Sequence, residues 1–398
     1  MRLSGRALRI SSSPTMAIDA KAKEMKARGL NVVGFGAGEP DFDTPKHIKE
    51  AAIAAIWGGF TKYTPVAGTV ELKEAICNKF KLEQSLEYKP AQIVVSSGAK
   101  HSLYNALHVL VQEGDEVILP SPYWVSYLEQ IKLAGAEARI VETWDDNGFK
   151  LTPDKLEAAI TPRTRLLILN SPGNPTGAVY SEAELKALGD VIIKYDNILV
   201  IFDEVYEKLI YDGLRHINIA SLSPELKERT VVINGVSKAY AMTGWRIGYT
   251  AATVSVAAAM ADLQSHSTSN PTSIAQTASV AAITGDQEPV GRMVMEYARR
   301  RDYMMERLRA IPGVSCNRPG GAFYLFPNVK AFFGKSFNGN RINNATDLAA
   351  VLLEKMQVAV VPGVAFGNDD YFRISYATSM DSIKEGLDRI TELLGKIK

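Results

Sequence analysis

From about residue 90 the chain alternates two hydrophobic patterns. Short, continuous apolar runs stand at QIVVSS (92–97), DEVILP (115–120), AEARIVE (136–142), TRLLILN (164–170), NILVIFDEV (197–205), TVVINGV (230–236) and RIGYTAA (246–252). Most are β-branched and lack a polar alternation, as expected of strands covered on both faces. Between them lie segments of helical period. AKHSLYNALHVLVQEG puts Leu103, Leu107 and Leu110 on one face, and SEAELKALGDVIIKY opens with Ser181 and Glu184 in capping-box spacing. The alternation predicts an α/β domain with a mostly parallel, seven-stranded sheet between helices. After roughly residue 285 the pattern changes. RMVMEYARRRDYMMERLRAI (292–311) reads as one long amphipathic helix, followed by strand-like GAFYLFP, VAVVPG and YFRISYA and a final helix from Ser379. That predicts a second, smaller α+β domain. The helical PTMAIDAKAKEMKARG near the N-terminus is expected to pack with it. The division falls at 1–44, 45–285 and 286–398.

Composition narrows the classes without choosing one. A chain of 398 residues, 46% hydrophobic and 22% charged, is globular and large enough for a core that needs no staples. Its 45 basic and 44 acidic residues give a net charge of +1, which leaves no electrostatic footprint for nucleic acid or an anionic membrane. Cys77 and Cys316 do not make a disulfide framework and read as core or surface thiols of a reducing cytosol. The start, MRLSGRALRISSS, lacks a continuous apolar segment, so no signal peptide is read. The alanine-rich YTAATVSVAAAMADL is broken by polar residues, so no span of a bilayer is read either. The expectation is a soluble, cytoplasmic protein.

Several stretches carry candidate chemistry, each beside a plainer reading. GFGAGEPDF (34–42) has glycines at 34, 36 and 38 but fails as a dinucleotide fingerprint: Glu39 takes the last glycine's place and Pro40 blocks an immediate helix. A turn, or a backbone that approaches a ligand closely, fits better. SSGAKHSLYNAL (96–107) runs from strand through a glycine turn into a helix, whose free N–H groups can bind phosphate. NSPGNPTG (170–177) is a rigid turn at a strand's carboxyl end, where α/β sheets place ligands, and Asn174 could offer its amide there. Asp203 ends a strongly apolar strand and needs a partner. It is a helix cap, a structural ion-pair member, or an anion held against a ligand's cation, with Tyr206 facing the same pocket. Lys238 of SKAYAMTGWRIGY follows another such strand, with Arg246 eight residues on. It is either a solvated side chain or a buried, reactive amine. Arg373 in YFRISYA is a partnered core arginine or a carboxylate clamp, a role its planar fork suits. No metal site is read.

Taken in order, AGEPDF, KYTPVAG, SGAK, PYW, NSPGNPTG, DEVY, SKAYAMTGWRIGY and FRISYA span about residues 14 to 380. The set closely resembles the class I pyridoxal-phosphate aminotransferases of the aspartate aminotransferase fold, in the bacterial branch marked by PYWVSY and AMTGWRIGY. The resemblance implies the cofactor pyridoxal phosphate, bound to Lys238 as a Schiff base, with Lys238 later transferring the proton. Arg246, Ser237, Gly98 and the N–H of Ala99 would hold the phosphate, and Tyr63 would reach it from the neighbouring subunit of a homodimer with shared active sites. Trp124 would stack on the ring, Asp203 would pair with the ring nitrogen, and Tyr206 and Asn174 would hydrogen-bond the ring's phenolic oxygen. Arg373 would bind the substrate α-carboxylate, with Gly38 contacting it through its backbone and Trp124 and Asn174 beside it. The implied reaction is ping-pong transfer of an amino group to a 2-oxo acid.

Members of this branch that prefer aspartate place a lysine just after the phosphate turn and a threonine near the N-terminus. Lys100 and Thr15 match those positions, which implies transfer from L-aspartate to 2-oxoglutarate. Lys100 would supply a point charge for the second carboxylate; its plainer reading is the first turn of a solvated helix face. Relatives that also accept prephenate carry a basic residue four positions before the threonine, where this chain has Ser11. Prephenate use is therefore disfavoured, and an aromatic, kynurenine or prephenate/glutamate preference stands as the alternative. A transcription regulator built on this domain is disfavoured, because few residues precede AGEPDF and the charge is near neutral.

Overall fold

A computed structural model describes residues 3–8, 10, 11 and 14–398, with the side chains of all of these but residues 6, 14–16 and 19. The seven apolar runs form one sheet, with strands β1 (Ile93–Ser96), β2 (Glu116–Ser121), β3 (Glu137–Glu142), β4 (Thr164–Asn170), β5 (Leu199–Asp203), β6 (Thr230–Gly235) and β7 (Gly248–Ala251). Their spatial order is β1-β7-β6-β5-β4-β2-β3. All neighbours are parallel except β7, which runs antiparallel to both β1 and β6.

The continuous apolar runs are explained by the two faces they serve. Leu166, Ile168, Ile201 and Ile233 face one side and pack with Leu103 and Leu107 of helix α3 (Ala99–Leu110). Leu167, Leu169, Val200 and Phe202 face the other and pack with Leu185, Leu188 and Ile192 of helix α5 (Glu182–Ile192). Each such side chain, fully buried, contributes about 1.5–3 kcal/mol relative to exposure. Helix α5 has the expected capping box. The Ser181 Oγ accepts from the Glu184 N–H at 3.3 Å, and the Glu184 carboxylate accepts from the Ser181 N–H at 2.7 Å. The exception to double coverage is β3, an edge strand on which Ile140 is exposed.

Register then assembles one edge of the sheet. Asn170 at the end of β4 pairs with Asp203 at the end of β5, and Asp203 pairs with Ile233 of β6. The loops that follow these three strands therefore leave side by side. The reversed direction of β7 matters here. Gly248, its first residue, pairs with Gly235 at the end of β6 and with Ser96 at the end of β1. The segment before β7, with Arg246, and the turn after β1, with Gly98, thereby reach the same edge.

The C-terminal part contains helix α6 (Glu288–Arg309), a three-stranded antiparallel sheet of β8 (Tyr324–Leu325), β9 (Val361–Pro362) and β10 (Phe372–Ser375), and helix α7 (Met380–Lys396) capped by Ser379. Val33–Gly34 pairs in parallel with Val358–Ala359, and the Ser375 N–H donates to the Phe35 carbonyl at 2.9 Å. Arg300 of α6 donates to both Asp41 oxygens at 2.8 and 2.9 Å. These bonds hold the GFGAGEPDF loop across the mouth of the sheet edge. Among the described residues, no helix is long and apolar enough to cross a membrane.

Candidate active site

The sheet edge and the GFGAGEPDF loop enclose a cavity of about 650 Å³. Lys238 enters it three residues after β6, and its Nζ donates to the Gly38 carbonyl at 2.6 Å. Burial lowers the Lys238 amine to about 8, with Arg246 and Arg373 acting in the same sense and Glu39 and Asp203 opposing. The amine is thus a usable nucleophile near neutral pH.

Asp203 is held at the end of β5, where Tyr127 donates to Oδ2 at 2.7 Å and the Val205 N–H to Oδ1 at 3.1 Å. Burial still raises its carboxyl to about 6, against these two donors and Lys238. Asp203 makes no ion pair among the described residues, so a cation placed across the cavity would find an under-compensated anion.

Gly98 adopts a φ of 89° just before helix α3. A Cβ there would lie 2.2 Å from an Arg246 guanidinium nitrogen. Arg246 itself sits in the left-handed region at φ 57°, and its Nη1 donates to the Thr243 carbonyl at 2.9 Å. A non-glycine in that region costs energy and signals over-determined placement. The result is a cradle of helix N-terminal N–H groups and a guanidinium beside buried Ser237, suited to a phosphate.

Across the cavity, Arg373 of β10 is buried between aromatic rings, its guanidinium carbon 4.3 Å from the Tyr324 centroid and 5.0 Å from that of Phe366. It donates to the Asn174 Oδ1 at 2.9 Å and to the Gly36 carbonyl at 2.8 Å. Its Nε is buried with no hydrogen-bond partner. Asn174 is fixed in turn, its N–H donating to Asn170 Oδ1 at 2.8 Å. With Oδ1 taken by Arg373, the Asn174 amide offers its NH2 to a ligand. Lys100, on the first turn of α3, lies 5.0 Å from the Trp124 ring centroid, and burial lowers its amine.

Gly38, Ala99, Lys100, Trp124, Asn174, Asp203, Tyr206, Ser237, Lys238, Arg246 and Arg373 thus come to one cavity. Tyr63 does not: it stands on the surface at 91% exposure, away from this chain's own cavity. The side chain of Thr15 lies outside the described residues. The structure adds Tyr127, Asn170, Tyr324 and Lys23 to the wall. Tyr127 was within reach of sequence reasoning, standing one helical turn after Trp124. Tyr324 was not, since its approach to Arg373 depends on the β8–β10 register, in which Tyr324 pairs with Ser375 and so lies diagonal to Arg373.

Pyridoxal phosphate fits these groups. The buried Asp203 would suit a ring cation, the Gly98–Arg246 cradle a phosphate, and the Nε of Arg373 a carboxylate.

Known proteins agree. The family model for aminotransferase class I and II matches residues 31–390. The chain is 53% identical over 390 residues to the aspartate aminotransferase of Geobacillus stearothermophilus, covering 98% of each. It is 50% identical over 396 residues to the aspartate/prephenate aminotransferase of Nitrosomonas europaea, covering 99% of this chain and 100% of the relative. The crystal structure of the aspartate aminotransferase from Rhizobium meliloti superposes with a TM-score of 0.97 at 46% identity, covering 100% of both chains.

Proposed function

The chain belongs to the class I and II aminotransferases, and on that premise we propose that it moves the amino group of L-aspartate to 2-oxoglutarate, giving oxaloacetate and L-glutamate. The observation that carries this reading is the meeting, in one cavity, of a lysine lowered to about 8, a buried unpaired aspartate and a buried arginine with a free Nε. Pyridoxal phosphate, when bound, supplies a carbonyl carbon for the Lys238 amine and a ring that draws electrons from the substrate Cα.

The chain's own residues do the rest. Arg246, Ser237 and the N–H groups that follow Gly98 hold the phosphate, and Trp124 covers one face of the ring. Asp203 keeps the ring nitrogen protonated. Tyr206 and the Asn174 NH2 donate to the phenolic oxygen. Arg373 grips the substrate α-carboxylate against the Gly38 backbone. The Lys238 Nζ would take the proton from the substrate Cα. Lys100, with Thr15, meets the distal carboxylate. The same steps run backward on the second 2-oxo acid.

Tyr63 serves the neighbouring subunit's phosphate in a homodimer. Its exposure supports this, as does the apolar face of helix α2 (Lys46–Trp57), where Ile53, Ile56 and Trp57 stand in solvent next to Phe60. The division at 1–44, 45–285 and 286–398 separates the central sheet from the part that carries Arg373. A cytosolic setting suits the unpaired Cys77 and Cys316.

The test is the ratio of kcat/KM values with 2-oxoglutarate as acceptor. Aspartate is expected to exceed phenylalanine and kynurenine; an aromatic amino acid in first place would contradict the dicarboxylic reading. The name of the Nitrosomonas relative favours one second reading, amino transfer to prephenate. Ser11, whose N–H donates to Glu129 Oε2 at 2.9 Å, stands where prephenate-accepting members of the branch carry a basic residue, and makes prephenate the weaker acceptor.

A further inference from the structure

Tyr324 lies in β8, fully buried, with two partners that belong to different halves of the site. Its hydroxyl is 2.8 Å from that of Tyr206, which follows β5 of the central sheet. Its ring carries the Arg373 guanidinium at 4.3 Å. A Cβ on Gly38 would come within 3.3 Å of its hydroxyl oxygen, so glycine at 38 leaves room for that hydroxyl. Tyr324 therefore touches both a group placed on the cofactor ring and the group placed on the substrate carboxylate.

We propose that Tyr324 is a positioning residue: its hydroxyl donates to the Tyr206 oxygen, committing the Tyr206 proton to the cofactor's phenolic oxygen, while its ring fixes the plane of Arg373. The direction follows from hydrogen-bond arithmetic. A phenol has one proton. If Tyr206 gave it to Tyr324, nothing would remain for the ring oxygen. Burial raises both phenols, so both stay neutral donors across the working pH range. A donor into the Tyr206 oxygen also polarises its O–H and strengthens the next bond in the chain. The groups facing the Tyr206 phenol are Tyr324 and Arg373 from the C-terminal part, Asp203 from β5 and Tyr127, which donates to Asp203, with Lys238 in the same cavity. This inference rests on the cofactor assignment made above.

The experiment is a spectroscopic pH titration of the holoenzyme's visible band in wild type, Tyr324→Phe, Tyr206→Phe and the double variant. Loss of the Tyr324 hydroxyl weakens the donor to the cofactor's anionic oxygen, so the midpoint rises in Tyr324→Phe by about half a unit. It rises further in Tyr206→Phe. The double variant matches Tyr206→Phe alone, because Tyr324 acts through Tyr206. Phenylalanine keeps a ring against Arg373, so binding of the unreactive dicarboxylate succinate holds within about twofold, whereas Tyr324→Leu weakens it about tenfold. An unmoved or lowered midpoint in Tyr324→Phe, or shifts that add in the double variant, would overturn the hydroxyl's role. Equal succinate binding in the Phe and Leu variants would overturn the ring's. A wild type with no visible band, even with pyridoxal phosphate supplied, would instead remove the cofactor assignment, and this inference with it.

Discussion

With its amine near 8, Lys238 is partly neutral at physiological pH, where a lysine at the ordinary value is almost wholly protonated. Only the neutral amine attacks a carbonyl. The rate at which cofactor-free protein takes up pyridoxal phosphate should therefore climb with pH and level off above about 8. A rate still climbing past 10, the range of an ordinary lysine, would contradict the burial argument. Lys238→Ala should lose the covalently held cofactor and at least about 1000-fold in turnover; near-normal rates in that variant would remove Lys238 from the chemistry. Lys100→Ser should cost aspartate about 10- to 100-fold in kcat/KM, the worth of a charged hydrogen bond, and cost a monocarboxylic amino acid far less. Equal losses would return Lys100 to a solvated helix face. Lys238, Asp203 and Arg373 were legible because each charge interrupts an apolar stretch that has no structural need of it. Tyr324 was not, because a buried aromatic reads as core until its hydroxyl's partner is known.

At the scale of elements, the hydrophobic runs gave away the seven strands and their double coverage, and the Ser181 capping box gave away the start of α5. Direction was not readable. A continuous apolar run packs equally well whichever way it points, so nothing in RIGYTAA announces that β7 is antiparallel. Yet that reversal delivers Arg246 to the edge where β1 releases Gly98. Glycine at 248 makes the approach possible, since a Cβ there would lie 2.1 Å from the Ala99 nitrogen. Gly248→Ala should therefore destabilise the fold by about 1–3 kcal/mol or more, seen as a lowered melting temperature with and without cofactor. Gly98→Ala meets the movable end of Arg246 instead. At a φ of 89° the added side chain is also strained, so the variant should lose about 1–3 kcal/mol of stability and weaken pyridoxal phosphate binding by about tenfold or more. Unchanged cofactor affinity in Gly98→Ala would show that the cradle tolerates a displaced guanidinium.

For the whole molecule, the proposed role of Tyr63 calls for a homodimer, since Tyr63 is exposed and does not line the cavity of its own chain. Co-expression of Lys238→Ala and Tyr63→Ala chains tests this. The hybrid dimer has one site with both native residues, and that site should hold the cofactor with wild-type affinity; weakened binding at every occupied site would place Tyr63 in its own chain's site, and undiminished binding in the Tyr63→Ala homodimer would place it in none. The most direct test of the central claim is the visible absorbance spectrum of the purified protein, taken before and after L-aspartate alone, then after 2-oxoglutarate. A coloured band is expected that moves to shorter wavelength with aspartate and returns with 2-oxoglutarate, one half-reaction after the other. A band that ignores aspartate and answers another amino acid would contradict the substrate. No band at all, even with pyridoxal phosphate supplied, would contradict Lys238 and the reaction built on it.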